Sequence, residues 1–340
     1  MSKKLNIGVI GAGRIGKVHA ETLAFRLRHK AAIVAITDTN RVAAEEAAAR
    51  FGIAEIADDA AAILADRRIE AVLICSSTDT HAELVVQAAR AGKHVFCEKP
   101  IDLTLEKIDH ALAAVAAAGV KLQVGFNRRF DPNYARVRMS ILNGEIGTPH
   151  LMHIVSRDPS PPPLAYVRVS GGMFLDMTIH DFDMARFLIG SEVEEIYTAA
   201  AVRVDEAIGE AGDVDTAVIV LRFANGVIGT IDNSRKAVYG YDQRVEVFGS
   251  AGSVATGNCH PNEAVVSTGS EIRRDLPLNF FMERYLQSFA NELSEFVDCV
   301  LEDRPTPVSG ADARVPVVMA LAAKKSHLER RPVRLSEVER

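Results

Sequence analysis

The stretch that decides the fold is Leu5-Asn6-Ile7-Gly8-Val9-Ile10-Gly11-Ala12-Gly13-Arg14-Ile15-Gly16. Its apolar first half is typical of a buried parallel strand, and the residues after it, 17–28, carry apolar positions at helical spacing. Gly11 and Gly13 allow backbone N–H groups to approach a pyrophosphate, while Gly16 allows the helix to pack closely on the strand. The predicted dinucleotide-binding residues of this stretch are Gly11, Gly13, Arg14, Ile15 and Gly16.

An acidic residue follows the second predicted strand. That strand, 32–37, ends at Asp38, about 20 residues beyond the glycines. An acid at this place accepts the ribose hydroxyls of the adenosine and repels a 2′-phosphate, so it favours NAD over NADP. Arg14 and Arg41 could still meet a phosphate, which leaves NADP open. A glycine-rich turn alone is weak evidence, but strand, glycines, helix, strand and acid in this order predict dinucleotide binding.

Units of one strand and one helix continue until a strand that ends at Val124. This alternation predicts a doubly wound parallel sheet, in which ligands bind at the carboxyl ends of the strands. Ser77, Glu98 and Lys99 follow such strand ends, so we predict them at the cofactor edge. For Lys99 the alternative is an ordinary solvated surface charge. The sequence thus predicts a Rossmann dinucleotide-binding domain over residues 1–124.

The pattern changes after this domain. Strand-like segments at 215–223 and 227–235 are separated by Asn225-Gly226, which is typical of a hairpin turn. Longer strands without regular intervening helices indicate a large, mostly antiparallel open sheet. We therefore predict an α+β domain over residues 125–340 that binds the substrate and forms oligomers.

Length and composition limit the class of protein. The 340 residues are enough for two domains, and 48% hydrophobic with 25% charged residues is typical of a folded globular protein. A net charge of -6 without a Lys/Arg cluster argues against a nucleic-acid partner. The four cysteines are scattered, which indicates reduced thiols and a cytoplasmic protein. Because no apolar run reaches about 18 residues, no membrane partner is expected.

A carboxylate and an imidazole lie four residues apart in the segment 171–183, Gly-Gly-Met-Phe-Leu-Asp-Met-Thr-Ile-His-Asp-Phe-Asp. A helix here would place Asp176 and His180 on one face, because positions four apart are neighbours on a helix. The alternative is a core histidine with Asp176 as its hydrogen-bond partner. A metal site from His180, Asp181 and Asp183 is disfavoured because adjacent helical positions point about 100° apart, so no metal is expected.

Four segments together resemble the glucose-fructose oxidoreductase/inositol dehydrogenase (Gfo/Idh/MocA) superfamily and, within it, the inositol 2-dehydrogenases. The segments are 11–16, 91–100, 125–131 and 172–183. The Glu-Lys-Pro run at 98–100, combined with the Asp-x-x-x-His helix, is far more specific than the glycine turn. The resemblance covers essentially the whole chain.

This resemblance implies NAD-dependent oxidation of myo-inositol to 2-keto-myo-inositol by a homotetramer. The implied catalytic set is Lys99, Asp176 and His180. In this set His180 is the general base, Asp176 orients the hydroxyl or the imidazole, and Lys99 favours the developing alkoxide. The residues that the resemblance implies for a cyclic polyol are Lys99, Arg128, Asp158, Asp176, His180 and Tyr239.

Other interpretations of these residues stay open. Arg128 and Asp158 could form a surface ion pair, and Tyr239 could be a half-buried strand tyrosine. No motif encodes the orientation of hydroxyl groups, so the first alternative is an NAD(P)-dependent dehydrogenase of a sugar or of scyllo- or chiro-inositol. The second is a non-catalytic dinucleotide-sensing regulator. The presence of Lys99 and His180 argues against it, because a regulator would be expected to lack them.

Overall fold

The computed structural model describes residues 3–339, which form two compact units. The first unit contains the chain up to Phe130 together with Gln287–Val317. The second contains Asp131–Leu286 together with the chain from Val318 onward. The predicted single boundary between residues 124 and 125 differs from this division, because the chain returns to the first unit after residue 286.

The first part of the chain alternates strands with helices. The strands are β1 (Leu5–Ile10), β2 (Ala31–Thr37), β3 (Glu55–Ile56), β4 (Ala71–Ile74), β5 (His94–Cys97) and β6 (Leu122–Val124). The α-helices are α1 (Arg14–Glu21), α2 (Arg41–Phe51), α3 (Ala60–Ala65), α4 (Thr78–Arg90) and α5 (Leu105–Ala118). A π-helical turn, Thr22–Arg26, extends α1, and a 3₁₀ turn, Asn127–Phe130, follows β6.

Within residues 3–339, the first sheet holds six parallel strands in the order β3-β2-β1-β4-β5-β6. The predicted doubly wound parallel fold is therefore confirmed. Ile7, Leu73 and Phe96 are fully buried, as expected for strands that are covered on both faces. Because the strands are parallel, the residues that follow β1, β2, β4 and β5 lie along one edge of the sheet.

The second part of the chain is richer in strands. The strands are β7 (Pro149–Arg157), β8 (Val193–Ala201), β9 (Thr216–Phe223), β10 (Ile228–Ser234), β11 (Asp242–Gly249), β12 (Gly252–Thr256), β13 (Val265–Ser267), β14 (Ile272–Arg274) and β15 (Val333–Arg334). The α-helices are α6 (Pro132–Leu142), α7 (Leu164–Val167), α8 (Ile179–Ile189), α9 (Glu206–Glu210), α10 (Phe281–Arg284), α11 (Leu286–Leu301) and α12 (Gly310–Glu329). A π-helical turn, Phe174–Thr178, precedes α8 directly. None of the helices in the described chain combines the length and the apolar character of a membrane-crossing helix.

In the described part of the second unit, seven strands form a sheet in the order β12-β11-β7-β10-β9-β8-β15. Only the pairing of β7 with β10 is parallel among these strands, so the predicted mostly antiparallel sheet is confirmed. Side chains alternate between the faces, as shown by β9, where Ile219 and Leu221 are buried and Val218 is half exposed. One face therefore forms the core of the unit, and the other leaves apolar side chains exposed.

Helix α11 explains why the chain returns to the first unit. Its residues Leu293, Phe296 and Val297 are fully buried and belong to the same apolar cluster as Ile7 of β1 and Phe96 of β5. The apolar stripe of this amphipathic helix therefore covers one face of the parallel sheet. The sequence predicts the helix from its periodicity, but the sheet that it covers is set by long-range packing.

A buried ion pair joins the beginning of α6 to α10. The carboxylate of Asp131 caps α6 by accepting the backbone N–H groups of Asn133 and Tyr134, and it lies 2.5 Å from Nη1 of Arg284. The Arg284 guanidinium also lies over the ring of Tyr285, 4.7 Å from its centroid. Burial by itself would lower the pKa of Arg284, but the hydrogen bond to Asp131 raises it overall. The pair is thus charged and enclosed.

We expect Arg284→Met to lower the free energy of unfolding by about 3–5 kcal/mol, because it removes the guanidinium that pairs with the buried carboxylate of Asp131. Differential scanning calorimetry and urea unfolding measure the loss. The matched control is Arg304→Met, which removes a half-exposed arginine paired with Glu295 and Glu302, and here the expected loss is below about 1 kcal/mol. Equal losses in the two variants would contradict the assignment.

Candidate active site

The glycine-rich turn has two glycines that packing requires and one that faces open space. Gly11 has a φ of +105°, and a Cβ added to it would lie 2.5 Å from the carbonyl group of Cys75. A Cβ at Gly16 would lie 2.1 Å from the carbonyl oxygen of Gly11. At Gly13 an added Cβ would meet no heavy atom of the described chain within 4 Å. The backbone at the start of α1 is therefore open to a phosphate, which fits a bound dinucleotide.

The carboxylate of Asp38 is fixed beside this turn at the end of β2. Its Oδ2 accepts the backbone N–H of Ala12 at 2.6 Å, and its Oδ1 accepts that of Asn40 at 2.7 Å. Each carboxylate oxygen keeps a further lone pair, with which it can accept a ribose hydroxyl. The geometry therefore fits the role predicted for Asp38.

The loops after β4 and β5 carry the other predicted residues of the first unit. Ser77 is exposed immediately before α4, and Lys99 is half buried after β5. The carboxylate of Glu98 points inward, where its Oε1 lies 2.6 Å from Nε2 of the fully buried His19. Buried His81 joins the two loops, with Nδ1 2.8 Å from the carbonyl oxygen of Pro100 and Nε2 3.1 Å from that of Ser76.

Sequence reasoning did not single out His19 or His81. The only signal in the sequence is a histidine in an otherwise apolar helix, and this is equally common in cores without a function. Arg128, predicted for the polyol site, lies in the 3₁₀ turn after β6 and is buried. The alternative of a solvent-exposed ion pair is therefore wrong for Arg128.

Asp176 and His180 lie on consecutive helical segments of the second unit. The sequence predicts a single helix, whereas the structure has Asp176 in a π-helical turn and His180 in the first turn of α8. Turns of this kind are rare and are frequent at functional sites. Neighbouring Asp181 is fully buried and accepts a hydrogen bond from Asn233, which anchors α8. Among residues 3–339 no group of three or more His, Cys, Asp or Glu side chains is arranged to hold a metal ion.

A buried arginine that the sequence analysis missed brings two predicted residues together. Nη1 of Arg235, which is 2% exposed, lies 2.8 Å from Oδ2 of Asp176 and 3.7 Å from Oδ2 of Asp158. The hydroxyl of Tyr166 donates to Oδ1 of Asp176 at 2.8 Å. Burial by itself would lower the pKa of Arg235, but Asp176 and Asp158 raise it overall. The cluster therefore holds one cation between two carboxylates.

Tyr239 belongs to a different cluster from Asp158 and Asp176. Its hydroxyl donates to Oδ2 of Asp242 at 2.6 Å and accepts from Nη1 of Arg157 at 3.1 Å. Burial and, to a smaller extent, the hydrogen bond to Asp242 raise the pKa of Tyr239. Arg157 and Asp158 are adjacent at the end of an extended strand, so their side chains point to opposite faces of the sheet. The structure thus separates Tyr239 from the Arg235 cluster within the second unit.

Comparison with known proteins agrees with both halves of this description. The model of an oxidoreductase family with an NAD-binding Rossmann fold matches residues 5–126, and the model of the GFO/IDH/MocA C-terminal domain matches residues 134–255. The chain belongs to the Gfo/Idh/MocA oxidoreductase family. The family predicted from the motifs is therefore confirmed.

Similar Gfo/Idh/MocA proteins align along nearly their whole length. The myo-inositol 2-dehydrogenase of Thermotoga maritima is 49% identical over 334 residues, which are 98% of this chain and 99% of that protein. The inositol 2-dehydrogenase of Rhizobium meliloti is 46% identical, again over 98% and 99% of the two chains. The crystal structure of the myo-inositol dehydrogenase from Lactobacillus casei in complex with NAD(H) and myo-inositol has a TM-score of 0.87 at 27% identity, over 97% and 96% of the two chains.

These findings make the chain an NAD-dependent oxidoreductase that acts on a CH–OH group. The predictions of NAD as cofactor and of a dehydrogenase are confirmed. In this Gfo/Idh/MocA chain the residues that fit the nucleotide are the glycine turn, the start of α1 and Asp38.

We expect Asp38→Ser to weaken NADH binding by about 10- to 100-fold, because hydrogen bonds from the ribose to a charged acceptor are lost. NADPH binding is expected to strengthen, because the carboxylate that repels the 2′-phosphate is gone. Isothermal titration calorimetry with both nucleotides tests this without a substrate. Asp109→Ser, at a half-exposed acid of α5, is the control. An unchanged ratio of NADH to NADPH affinity in Asp38→Ser would refute the role of Asp38.

Proposed function

We propose that this enzyme oxidises the C2 hydroxyl of myo-inositol to give 2-keto-myo-inositol, with NAD as the hydride acceptor. The relatives from Thermotoga maritima and Rhizobium meliloti, both named as inositol 2-dehydrogenases, support it. The observation that carries the proposal is the pairing of Asp158 and Asp176 with buried Arg235. Fixed ionic acceptors suit a ring that bears a hydroxyl on every carbon, because each unpaired polar group would weaken binding.

The two units are proposed to bind different partners, the nucleotide and the polyol. The first unit binds the nucleotide through Gly11, Gly13, Gly16 and Asp38, and Arg14, Ile15, Ser77, Glu98 and Lys99 belong to the same set. The second unit supplies most of the contacts to the polyol and the surface for assembly. The glycine turn and the fixed Asp38 carboxylate support the first assignment.

Lys99, Asp176 and His180 are the proposed catalytic set. Bound NAD supplies the acceptor for the hydride that leaves the alcohol carbon. His180 takes the hydroxyl proton as general base, since an unperturbed imidazole has a pKa of about 6.5. The ammonium group of Lys99 favours the negative charge that develops on the alcohol oxygen. Asp176 is a hydrogen-bond acceptor that orients the hydroxyl or the imidazole.

Arg128, Asp158 and Tyr239 are the further residues that we propose for polyol binding. Burial of Arg128 and the contact of Asp158 with Arg235 support the first two, because a pocket needs polar groups held in fixed positions. Tyr239 stays in the set by resemblance, although its hydroxyl donates to Asp242 here.

The decisive experiment follows NADH formation by absorbance with a panel of substrates. The panel contains myo-, scyllo- and chiro-inositol, glucose and other aldose sugars, each tested with NAD and with NADP. The proposal requires the highest kcat/KM for myo-inositol with NAD. A higher value for another inositol or for a sugar would favour the related dehydrogenases. Nucleotide binding without turnover of any substrate would favour a dinucleotide-sensing regulator.

We expect His180→Ala and Lys99→Ala each to lower kcat with NAD and myo-inositol by about 10²- to 10⁴-fold, because proton transfer and charge stabilisation supply that much of the rate. Steady-state kinetics measure the loss. The matched controls are His110→Ala, at an exposed histidine of α5, and Lys107→Ala, at an exposed lysine of the same helix. Turnover close to wild type in His180→Ala or Lys99→Ala would remove that residue from the catalytic set.

Assembly and location extend the proposal. We propose a homotetramer in which the open face of the seven-stranded sheet is an interface between copies. Register places Leu151, Tyr197, Val218, Ile228 and Phe248 on this face, and all are partly exposed. An apolar patch of this kind is typical of an interface. We also propose a cytoplasmic location, since all four cysteines are free thiols, a state that a reducing compartment preserves.

Size-exclusion chromatography with light scattering tests the tetramer. We expect a particle of four 36.8 kDa chains, and smaller particles for Val218→Lys, because a charge desolvated at the interface opposes association. Val42→Lys changes a similarly exposed apolar residue on α2 and is expected to stay tetrameric. A monomeric wild-type protein would rule out this assembly.

A further inference from the structure

We propose that Arg235 and Tyr166 are positioning residues, which fix the carboxylate of Asp176 as an ionised hydrogen-bond acceptor in the catalytic set. The inference rests on the proposed function. It assigns roles to two residues outside the predicted site. It also assigns different roles to Asp176 and His180. A carboxylate that is held ionised accepts hydrogen bonds, so proton transfer falls to His180.

The two oxygens of Asp176 are held by different elements. Arg235, which follows β10, approaches Oδ2 at 2.8 Å, and Tyr166 of α7 donates to Oδ1 at 2.8 Å. The main chain of Arg235 is itself anchored, because its N–H donates to the carbonyl oxygen of Asp215 at 2.8 Å. A carboxylate that is bound at both oxygens from two directions has little freedom to rotate. Its orientation is thus set before the substrate arrives.

The charges around Asp176 favour its ionised form. The charged and titratable groups that face the pair of Arg235 and Asp176 include Asp158 after β7, Tyr166 on α7 and Asp213 before β9, and His180 lies four residues after Asp176 on α8. Asp213 has its own donor, since both of its oxygens accept the N–H of Met173 at 3.0 and 3.1 Å. Arg235 thus lies close to both Asp158 and Asp176, and an opposite charge at this distance favours a carboxylate.

The first test is the pH dependence of kcat/KM. Removing a cation raises the pKa of a neighbouring carboxyl group and of a neighbouring imidazolium alike. Both groups must be deprotonated for the reaction, so in Arg235→Met the acidic limb moves to higher pH, by about one unit or more. Arg235→Lys keeps the charge and is expected to bring the limb back toward wild type. An acidic limb that does not move in Arg235→Met overturns the proposal.

The second test is a double-mutant cycle in kcat. Arg235→Met is expected to cost about 10- to 100-fold and Tyr166→Phe about 3- to 10-fold, because each removes a bond to a charged acceptor. If both residues act through Asp176, Tyr166→Phe costs nothing further in an Asp176→Asn background, and Arg235→Met costs much less there than in the wild type, the remainder coming from its second contact, Asp158. Losses that multiply in that background show that the residues act on their own and overturn the proposal.

Two controls separate this inference from folding and from the proposed function. Arg284→Met removes another buried arginine and is expected to lower stability without moving the acidic limb. If Arg235→Met does not fold, the double-mutant cycle is measured with Arg235→Lys and Tyr166→Phe instead.

If the wild-type enzyme oxidises no inositol, the proposed function fails. The contact is then tested in urea unfolding, where independent midpoint shifts for Arg235→Lys and Asp176→Asn overturn it and non-additive shifts support it.

Discussion

A buried charge is unfavourable unless an opposite charge lies beside it, and this constraint organises the polar cluster of the second unit. Arg235 is enclosed where β10 ends, and Asp158 follows the neighbouring strand β7. These two strands run parallel, so their carboxyl ends bring both side chains to the same edge of the sheet. Asp176 reaches the guanidinium from a helical turn. Arginine and acids therefore stabilise one another, and the cluster depends on each member.

The loop that carries Lys99 in the first unit is supported in a comparable way by two buried imidazoles. His19 of α1 contacts Glu98, directly before Lys99, and His81 of α4 contacts the carbonyl oxygen of Pro100, directly after it. Both helices begin at the edge of the sheet where the glycine turn and Ser77 lie. The two helices and the Lys99 loop are therefore held together by two buried histidine side chains.

The sequence predicts the features that a contiguous pattern encodes. The glycine turn, Asp38 and the parallel sheet follow from strand, turn and helix signals within a few tens of residues. The π-helical turn at 174–178 was not predicted, because its apolar spacing fits an α-helix equally well. Arg235 could not be distinguished from a surface arginine, because its burial depends on Asp176, 59 residues earlier in the chain. Likewise, the amphipathic pattern of α11 predicts a helix with one apolar face, but it does not predict which sheet that face covers.

Adjacent residues at the end of β7 serve the two faces of the second sheet. Asp158 joins Arg235 on one face, while Arg157 binds Asp232 and Tyr239 on the face where Val218 is exposed. Because successive side chains of a strand point to opposite faces, a slip of one residue would exchange these two environments. Strand β7 is hydrogen-bonded on both sides, to β10 and to β11, and these pairings fix its register. The position of β7 between β11 and β10 is thus what keeps the Arg235 cluster and the open face apart.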